Sequence, residues 1–238
     1  MPNPGERTAD CPPRQFPLAT RLSAAYDDFV TGRPPTADED VHMLPGIVEH
    51  VIDRCSRPGD LVVDPFAGFG TTIERAVALG REAIGVELLP ERVRSTRRAA
   101  PGARVHEGDA RELLRVLQRS GEPFAGAADL VLTSPPYMTH HDHDADPLTA
   151  YELDGGDYER YLSELGLVAA QCAHLLVPGG WMVWNVADIC HRGQTTHLIA
   201  DCARVLDEHL VRVGITEIGW DRYPHDLVAD ALLVYRRP

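Results

Sequence analysis

Apolar runs alternate with longer amphipathic segments over most of the chain after residue 60. The runs that predict buried strands are residues 61–64, 82–87, 104–109, 129–134 and 181–186. Between them, apolar residues recur at helical spacing over residues 71–79, 90–99, 110–120 and 158–176, and Gly80 and Gly121 follow two of these segments as stop signals. Strands that alternate with helices of this length predict a parallel sheet with helices on both faces.

The flanking segments extend this pattern. A further helix over residues 196–209 is followed by two more strands, over residues 210–218 and 231–236. Ahead of the first strand, Pro45 opens a segment in which Ile47, Val48, Val51 and Ile52 share one helical face. We therefore predict one α/β domain over residues 41–238.

Residues 1–40 have a different character, because they are rich in proline and polar residues. One amphipathic helix over residues 18–30 is predicted, and the remainder is expected to be loop. We expect this N-terminal arm to lie over the mouth of a ligand site, with a poorly ordered arm as the alternative.

Two loops carry the candidate chemistry. The first is Asp-Pro-Phe-Ala-Gly-Phe-Gly-Thr-Thr at residues 64–72, which joins a predicted strand to a helix and exposes backbone N–H groups to a ligand. Taken alone, the glycine spacing is better explained by a simple turn that joins the strand to the helix. The second loop is Thr-Ser-Pro-Pro-Tyr at residues 133–137, which ends another apolar run. The central expectation is that the two loops meet at one edge of the sheet, with Phe69 and Tyr137 on the same side.

Together these motifs resemble the amino-methyltransferases that use S-adenosylmethionine (SAM), a family best known from DNA N4-cytosine and N6-adenine methylation. In that family the first motif binds the cofactor and the second holds the target amino group. His-Met-Leu-Pro at residues 42–45 adds a weaker resemblance to a family segment that approaches the carboxylate end of the cofactor. The resemblance implies the Rossmann-like class I methyltransferase fold, with a seven-stranded, mostly parallel sheet whose last strand is antiparallel.

The cofactor-binding residues that the resemblance implies are Asp64, Phe66, Gly68, Gly70, Thr71, Glu87 and Asp109. Glu87 would accept both ribose hydroxyls, or else cap the next helix. Asp109 resembles the acid that accepts a hydrogen bond from the adenine amino group of the cofactor. The competing interpretation is that Asp109 is the N-cap of the following helix. Asp64 would orient the cofactor's ammonium group or only cap the loop, and Phe66 would shield the sulfonium or only pack in the core.

The catalytic residues that the resemblance implies are Ser134, Pro135, Pro136 and Tyr137. An amine conjugated to an aromatic ring is a poor nucleophile, because its lone pair is delocalised. If Ser134 Oγ and the Pro135 carbonyl accept its two hydrogens, the nitrogen can aim its lone pair at the methyl carbon. Tyr137 would stack on a planar substrate and face the sulfonium. The expected reaction is an in-line displacement without metal or covalent enzyme intermediate; a purely structural Pro-Pro turn is the alternative.

Composition and charge limit the partners. The chain has 238 residues, a net charge of -13 and 23 basic residues, all of them arginine. No basic face is evident, since the nearest candidates, Arg92, Arg94, Arg97 and Arg98, read as a solvated helix face. No apolar run reaches the ~18 residues that a membrane span needs, and no signal peptide is evident, so we expect a cytoplasmic protein without membrane contact.

Residues 139–159 contain seven acidic residues. A loop this acidic should repel phosphates and favour a cationic or neutral substrate. Its His-His-Asp-His-Asp segment at residues 140–144 contains possible ligands for a divalent metal. We favour a mobile substrate lid instead, and the five cysteines show no metal-like spacing, so no metal is predicted.

Three functions remain open at this point. The first is a DNA or RNA base amino-methyltransferase, which both motifs favour. The second is an N-methyltransferase for a small molecule or peptide, which the negative charge and the lack of room for a target-recognition domain favour. The third is a SAM-binding or scaffold protein without turnover, against which the intact second motif argues.

Overall fold

The computed structural model describes residues 16–34, 42–140, 146–150 and 156–238. The strands are β1 (Arg21–Ala24), β2 (Leu61–Asp64), β3 (Glu82–Glu87), β4 (Arg104–Glu107), β5 (Ala128–Thr133), β6 (Leu176–His191), β7 (Gln194–Thr196), β8 (Val211–Trp220) and β9 (Leu227–Arg236). The α-helices are α1 (Tyr26–Thr31), α2 (Pro45–Cys55), α3 (Thr71–Ala78), α4 (Pro90–Ala99), α5 (Leu113–Arg119), α6 (Tyr158–Leu175) and α7 (Leu198–Asp207). Two 3₁₀ turns span Ala110–Glu112 and Pro147–Thr149.

One mixed sheet organises the molecule, with strand order β1-β8-β9-β6-β5-β2-β3-β4 and β7 paired to β6. The strands from β4 to β6 are parallel to one another, whereas β9 lies antiparallel between β6 and β8. This arrangement confirms the predicted Rossmann-like α/β fold with an antiparallel last strand.

Apolar side chains fill both sides of the sheet. Trp184 and Tyr161 are fully buried on the side covered by α5, α6 and α7, and Ile73 is fully buried on the side covered by α2, α3 and α4. Each such side chain contributes roughly 2 kcal/mol to folding through burial. The carboxyl ends of the parallel strands are therefore held in a rigid frame.

The strand count differs from the predicted seven, because the sheet contains nine strands in the described ranges. The additional strands are β1 and β7. β1 lies where one helix was predicted over residues 18–30, so that prediction was wrong for its first half; the helix α1 starts only at Tyr26. Arg21–Ala24 pairs in parallel with the free edge of β8, which offers unsatisfied backbone groups.

Most boundaries agree with the sequence predictions. β2, β3 and α4 match to the residue, and α2 has Pro45 in its first turn. Gly80 and Gly121 adopt positive φ angles of 76° and 73° just beyond the helices they were predicted to end. β6 is much longer than predicted, because pairing with β9 and β7 carries it to His191. Within the described residues, no helix has both the length and the apolar character needed to cross a membrane.

Candidate active site

A cavity of about 360 Å³ lies at the carboxyl ends of the parallel strands. Both sequence motifs line it, with residues 64–69, Thr71 and Thr72 from the first and Ser134 to Tyr137 from the second. Phe69 and Tyr137 therefore face the same cavity, as the sequence predicted. The convergence follows from the sheet, because β2 and β5, which lead into the two motifs, are neighbouring parallel strands.

The two glycines of the first motif have different surroundings. Gly68 has a φ of 52° and lines the cavity, and a Cβ there would lie no closer than 3.8 Å to its nearest neighbour. Gly70 has a φ of 91°, caps α3 and sits behind the cavity wall, where a Cβ would approach the Thr96 side chain to 2.5 Å. Gly68 thus leaves space for a ligand, whereas Gly70 permits the close packing of α3 on α4.

Asp64 ends β2 beneath the first motif and is only 2% exposed. Its Oδ1 accepts hydrogen bonds from the Phe66 backbone N–H at 3.0 Å and from Thr133 Oγ1 at 2.6 Å. Burial raises the pKa of Asp64 to about 6, although these hydrogen bonds oppose the shift. Asp64 thus ties the two motifs together and also borders the cavity, as does Phe66.

Glu87 ends β3 and presents its carboxylate to the same cavity. Its two oxygens accept the backbone N–H groups of Gly68 at 2.8 Å and Leu89 at 2.9 Å. Burial raises the pKa of Glu87, and the nearby Arg92 partly offsets that effect. Each oxygen keeps a further lone pair, so Glu87 can still accept two hydroxyl groups.

Arg92 was predicted to lie on a solvated helix face, and the structure corrects this. Its guanidinium stacks 4.4 Å from the centre of the Phe69 ring and borders the cavity. Arg94, Arg97 and Arg98 are exposed, as predicted. The spacing of the four arginines did not reveal which one turns inward.

Asp109 shows the N-cap geometry that was the competing interpretation. Its Oδ1 accepts the Arg111 backbone N–H at 2.8 Å, and the Arg111 guanidinium binds both carboxylate oxygens at distances of 2.6 to 3.0 Å. Glu164 binds the same guanidinium at 2.8 Å, and these carboxylates raise the pKa of Arg111. Asp109 borders the cavity, but Arg111 already occupies much of its capacity to accept hydrogen bonds.

The last two residues of the second motif are each fixed by a hydrogen bond. Tyr161 donates its hydroxyl to the Pro136 carbonyl at 2.9 Å, and Tyr137 donates its hydroxyl to the Asn185 carbonyl at 3.2 Å. Because the single Tyr137 proton is used in this way, Ser134 must donate in its 3.2 Å contact with Tyr137 Oη. Ser134 Oγ therefore has free lone pairs with which to accept an N–H group.

Beyond Tyr137 the cavity contains residues that the sequence analysis missed. Asp230 of β9 is 5% exposed and accepts Asn185 Nδ2 at 2.6 Å and Trp220 Nε1 at 2.8 Å. His225 also lines this end. Phe29 of α1 and residues 42–44 line the cavity as well, and both belong to segments that the sequence analysis had expected near a ligand site: the N-terminal arm and the His-Met-Leu-Pro segment. The available signal is a lone acid directly ahead of the strand predicted over residues 231–236, within the apolar stretch of residues 227–236.

The acidic segment is only partly described. Pro147, Leu148 and Ala150 border the cavity, and Asp146 is buried and paired with Arg160 at 3.1 Å. The lid predicted over residues 139–159 is only partly covered, because residues 141–145 and 151–155, which include most of the His-Asp segment, lie outside the described residues. Among the described residues, no group of three or more His, Cys, Asp or Glu side chains is arranged to hold a metal ion.

Parts of the chain are similar in sequence to known methyltransferases. A family described as "DNA methylase", covering N6- and N4-directed enzymes, matches residues 45–98. The chain is 30% identical over 124 residues to the DNA adenine methyltransferase YhdJ of Escherichia coli, covering 52% of this chain and 38% of that protein. It is 33% identical over 144 residues to a 4-amino-L-phenylalanine/4-methylamino-L-phenylalanine methyltransferase of Streptomyces pristinaespiralis, covering 55% and 41%. The chain thus spans about two fifths of the length of these curated relatives.

Solved structures agree on the fold. The N-methyltransferase NodS of Bradyrhizobium japonicum superposes with a TM-score of 0.56 at 12% identity, covering 82% of this chain and 94% of that one. Geranyl diphosphate C-methyltransferase of Streptomyces coelicolor, solved with S-adenosyl-L-homocysteine, gives 0.54 at 14% identity, covering 89% and 84%. These structures show that the chain has the class I methyltransferase fold. In sequence it is similar, over part of its length, to the N6- and N4-directed DNA methylases and to an amino-methyltransferase for a small molecule.

Proposed function

We propose that this chain transfers the methyl group of SAM to an amino nitrogen attached to a planar, conjugated ring. The observation that carries this proposal is the shared cavity, which joins the glycine motif at the end of β2 to Ser134–Tyr137 beyond the end of β5. One motif alone would indicate a ligand loop or a rigid turn. Because both motifs line one cavity, the glycine motif can form its cofactor side and Ser134–Tyr137 its acceptor side.

The residues on the cofactor side fit SAM. Glu87 offers lone pairs for two ribose hydroxyls, and Gly68 leaves the loop open to a ligand. The cavity volume of about 360 Å³ lies within the range of small-molecule and cofactor sites. Bound there, SAM would supply an electrophilic methyl group on its sulfonium. The carbon–sulfur bond would break as the nitrogen–carbon bond forms, leaving S-adenosylhomocysteine, and the methylated amine would release its extra proton to water.

On the acceptor side, Ser134 determines the orientation of the amine. Its proton is directed to Tyr137, so its lone pairs can accept one N–H of the acceptor. The Pro135 carbonyl is the predicted second acceptor, and two such bonds favour a tetrahedral nitrogen with an available lone pair. Tyr137 is itself held by Asn185, and its buried phenol has a raised pKa, which keeps it neutral and able to donate.

We favour a small aromatic amine as the acceptor. The supporting observations are the net charge of -13 and a cavity end walled by Phe29, Trp220 and the buried acid Asp230. Negative charge near the site would repel a phosphate backbone. The Streptomyces relative described as acting on 4-amino-L-phenylalanine shows that similarity of this degree extends to enzymes for small amines.

A base in nucleic acid is the second candidate acceptor. The match of residues 45–98 to the DNA methylase family and the similarity to the E. coli DNA adenine methyltransferase favour it. Its exocyclic amine has the same delocalised lone pair, so the chemistry at Ser134 would be unchanged.

The two candidates are separated by following tritium from labelled SAM into equal amounts of duplex DNA, single-stranded DNA, RNA and para-substituted anilines. We expect label in an aniline fraction and none above background in nucleic acid. Label confined to one nucleic acid would replace the first acceptor with the second. Failure to label any acceptor, with SAM bound normally, would refute amino-methyl transfer to both classes.

A further inference from the structure

Asp230 is a buried acid that the transfer chemistry described above does not use. It is 5% exposed, borders the cavity and lies in β9. Burying a carboxylate in such surroundings is costly unless something compensates its charge. Its presence at this position therefore requires an explanation.

The hydrogen bonds of Asp230 fix its position without neutralising it. Asn185 Nδ2 donates to Oδ1 at 2.6 Å, and Trp220 Nε1 donates to Oδ2 at 2.8 Å. Both donors are uncharged, and burial raises the pKa of Asp230 to about 6, whereas a neighbouring cation would lower it. Each oxygen also keeps lone pairs beyond those used by these donors. Asp230 is thus an oriented acceptor with a preference for a positive partner.

Asp230 lies on the acceptor side of the cavity. The residue that donates to it, Asn185, also accepts the Tyr137 hydroxyl through its backbone carbonyl at 3.2 Å. The negative charge of Asp230 contributes to the raised pKa of Tyr137, which places the two groups close together. Glu87, at the end of β3, belongs to the cofactor side, two strands beyond β5. A ligand group at Asp230 would therefore belong to the acceptor.

Aromatic rings surround this end of the cavity. The Phe29 ring lies 5.9 Å from Trp220 and 6.0 Å from His225, with both pairs edge-on at 85°. It also stacks on His42 at 4.5 Å. Aromatic faces next to a carboxylate suit an organic cation attached to a planar ring, since they pack on the ring and attract the charge.

We propose that Asp230 is a specificity-determining residue that binds a positively charged group of the acceptor, an ammonium on a small aromatic amine whose other, ring-attached nitrogen is methylated at Ser134. This inference rests on the proposed function and adds the charge of the substrate. The aniline nitrogen is neutral near pH 7, whereas the alkyl ammonium is charged. The charged group therefore binds at Asp230, and the neutral ring nitrogen is left at Ser134.

Binding of matched probes tests the proposal directly. Calorimetry is performed on the protein with S-adenosylhomocysteine, using anilines that carry a para aminomethyl, hydroxymethyl or carboxylate group. The aminomethyl probe is expected to bind about 10- to 100-fold more tightly than the hydroxymethyl probe, as a charge-assisted hydrogen bond would give. The carboxylate probe is expected to bind most weakly. Equal binding of the charged and neutral probes by the native protein would overturn the role of Asp230.

Asp230→Asn keeps the shape and removes the charge. We expect the preference for the aminomethyl probe to fall to about twofold or less, while affinity for S-adenosylhomocysteine stays within about twofold. Asp226→Asn is the matched control, because this exposed acid precedes β9 and does not line the cavity. It should keep the native preference. Retention of that preference by Asp230→Asn would leave Asp230 a purely structural role.

The probe comparison with the native protein covers the case in which Asp230→Asn does not fold. It needs no variant, because equal affinity for the aminomethyl and hydroxymethyl probes would by itself overturn the proposal. If the tritium assay labels anilines without regard to their para charge, only the Asp230 proposal fails; if it labels none, the proposed acceptor class fails with it.

Discussion

At the scale of single residues, the direction of one hydroxyl proton determines what Ser134 can do. Tyr137 donates its own proton to the Asn185 carbonyl, so Ser134 donates to Tyr137 and keeps free lone pairs, as the proposed contact with an amine requires. The motif Thr-Ser-Pro-Pro-Tyr predicted the acceptor role of Ser134. It could not predict the contact with Asn185, which lies 48 residues away from Tyr137.

Replacing Ser134 with alanine tests that role. We expect turnover to fall about tenfold or more, which corresponds to losing at least ~1.4 kcal/mol of transition-state stabilisation. SAM affinity should change little. Steady-state kinetics and calorimetry make the comparison, with Ser120→Ala at an exposed helix end as the matched control. Native turnover in Ser134→Ala would remove this residue from the chemistry.

The raised pKa of Asp230 predicts a pH-dependent stability. The folded protein holds the proton of Asp230 more tightly than the unfolded chain, because burial raises its pKa from 3.8 to about 6. The stability that Asp230 contributes is therefore complete below about pH 4 and is lost as the pH rises through about 6, by on the order of 2 to 3 kcal/mol.

Asp230→Asn isolates this contribution in urea unfolding at about pH 4 and about pH 7. The free energy of unfolding of the variant, relative to the native protein, should increase with pH over this interval. Asp226→Asn again removes one charge from an exposed site and serves as the control. A difference between variant and native protein that stays constant with pH would show that Asp230 is not buried as an ionisable group.

At the scale of elements, the sequence predicted the helices and strands that have local signals. It missed the elements that form only by pairing with a distant strand. β2 and β3 are apolar runs, and α3, which lies between them, is followed by Gly80; these local signals placed all three elements. β1 forms only because the edge of β8, almost 200 residues later, accepts it. Long-range contacts also define the site and could not be predicted from local sequence. Asp230 is oriented by hydrogen bonds from Asn185 on β6, 45 residues before it, and from Trp220 on β8.

The glycine loop provides a test at this scale. Gly68 and Gly121 both have positive φ and open surroundings, but only Gly68 lines the cavity. Gly68→Val and Gly121→Val should both lose stability through backbone strain, by roughly 1 to 3 kcal/mol. Only Gly68→Val should abolish SAM binding in calorimetry at a temperature where both remain folded. Normal SAM affinity in Gly68→Val would refute the assignment of this loop to the cofactor.

At the scale of the whole molecule, the negative net charge bears on which proposed acceptor the chain can bind. With a net charge of -13, the chain should associate poorly with nucleic acid. In fluorescence anisotropy with a labelled DNA duplex at low salt, we expect no saturable binding that weakens steeply as salt is added. A strongly salt-dependent complex would instead favour the nucleic-acid acceptor.

The central claim is that one cavity brings an amine held at Ser134 against the methyl group of a cofactor held by the glycine loop. The most direct measurement is mass spectrometry of the products formed from SAM and para-aminomethylaniline by the native protein and by Ser134→Ala. We predict S-adenosylhomocysteine and an aniline methylated at the ring nitrogen in equal amounts, both reduced about tenfold or more in the variant. Equal yields from the two proteins, or methylation of the aminomethyl nitrogen, would contradict the claim.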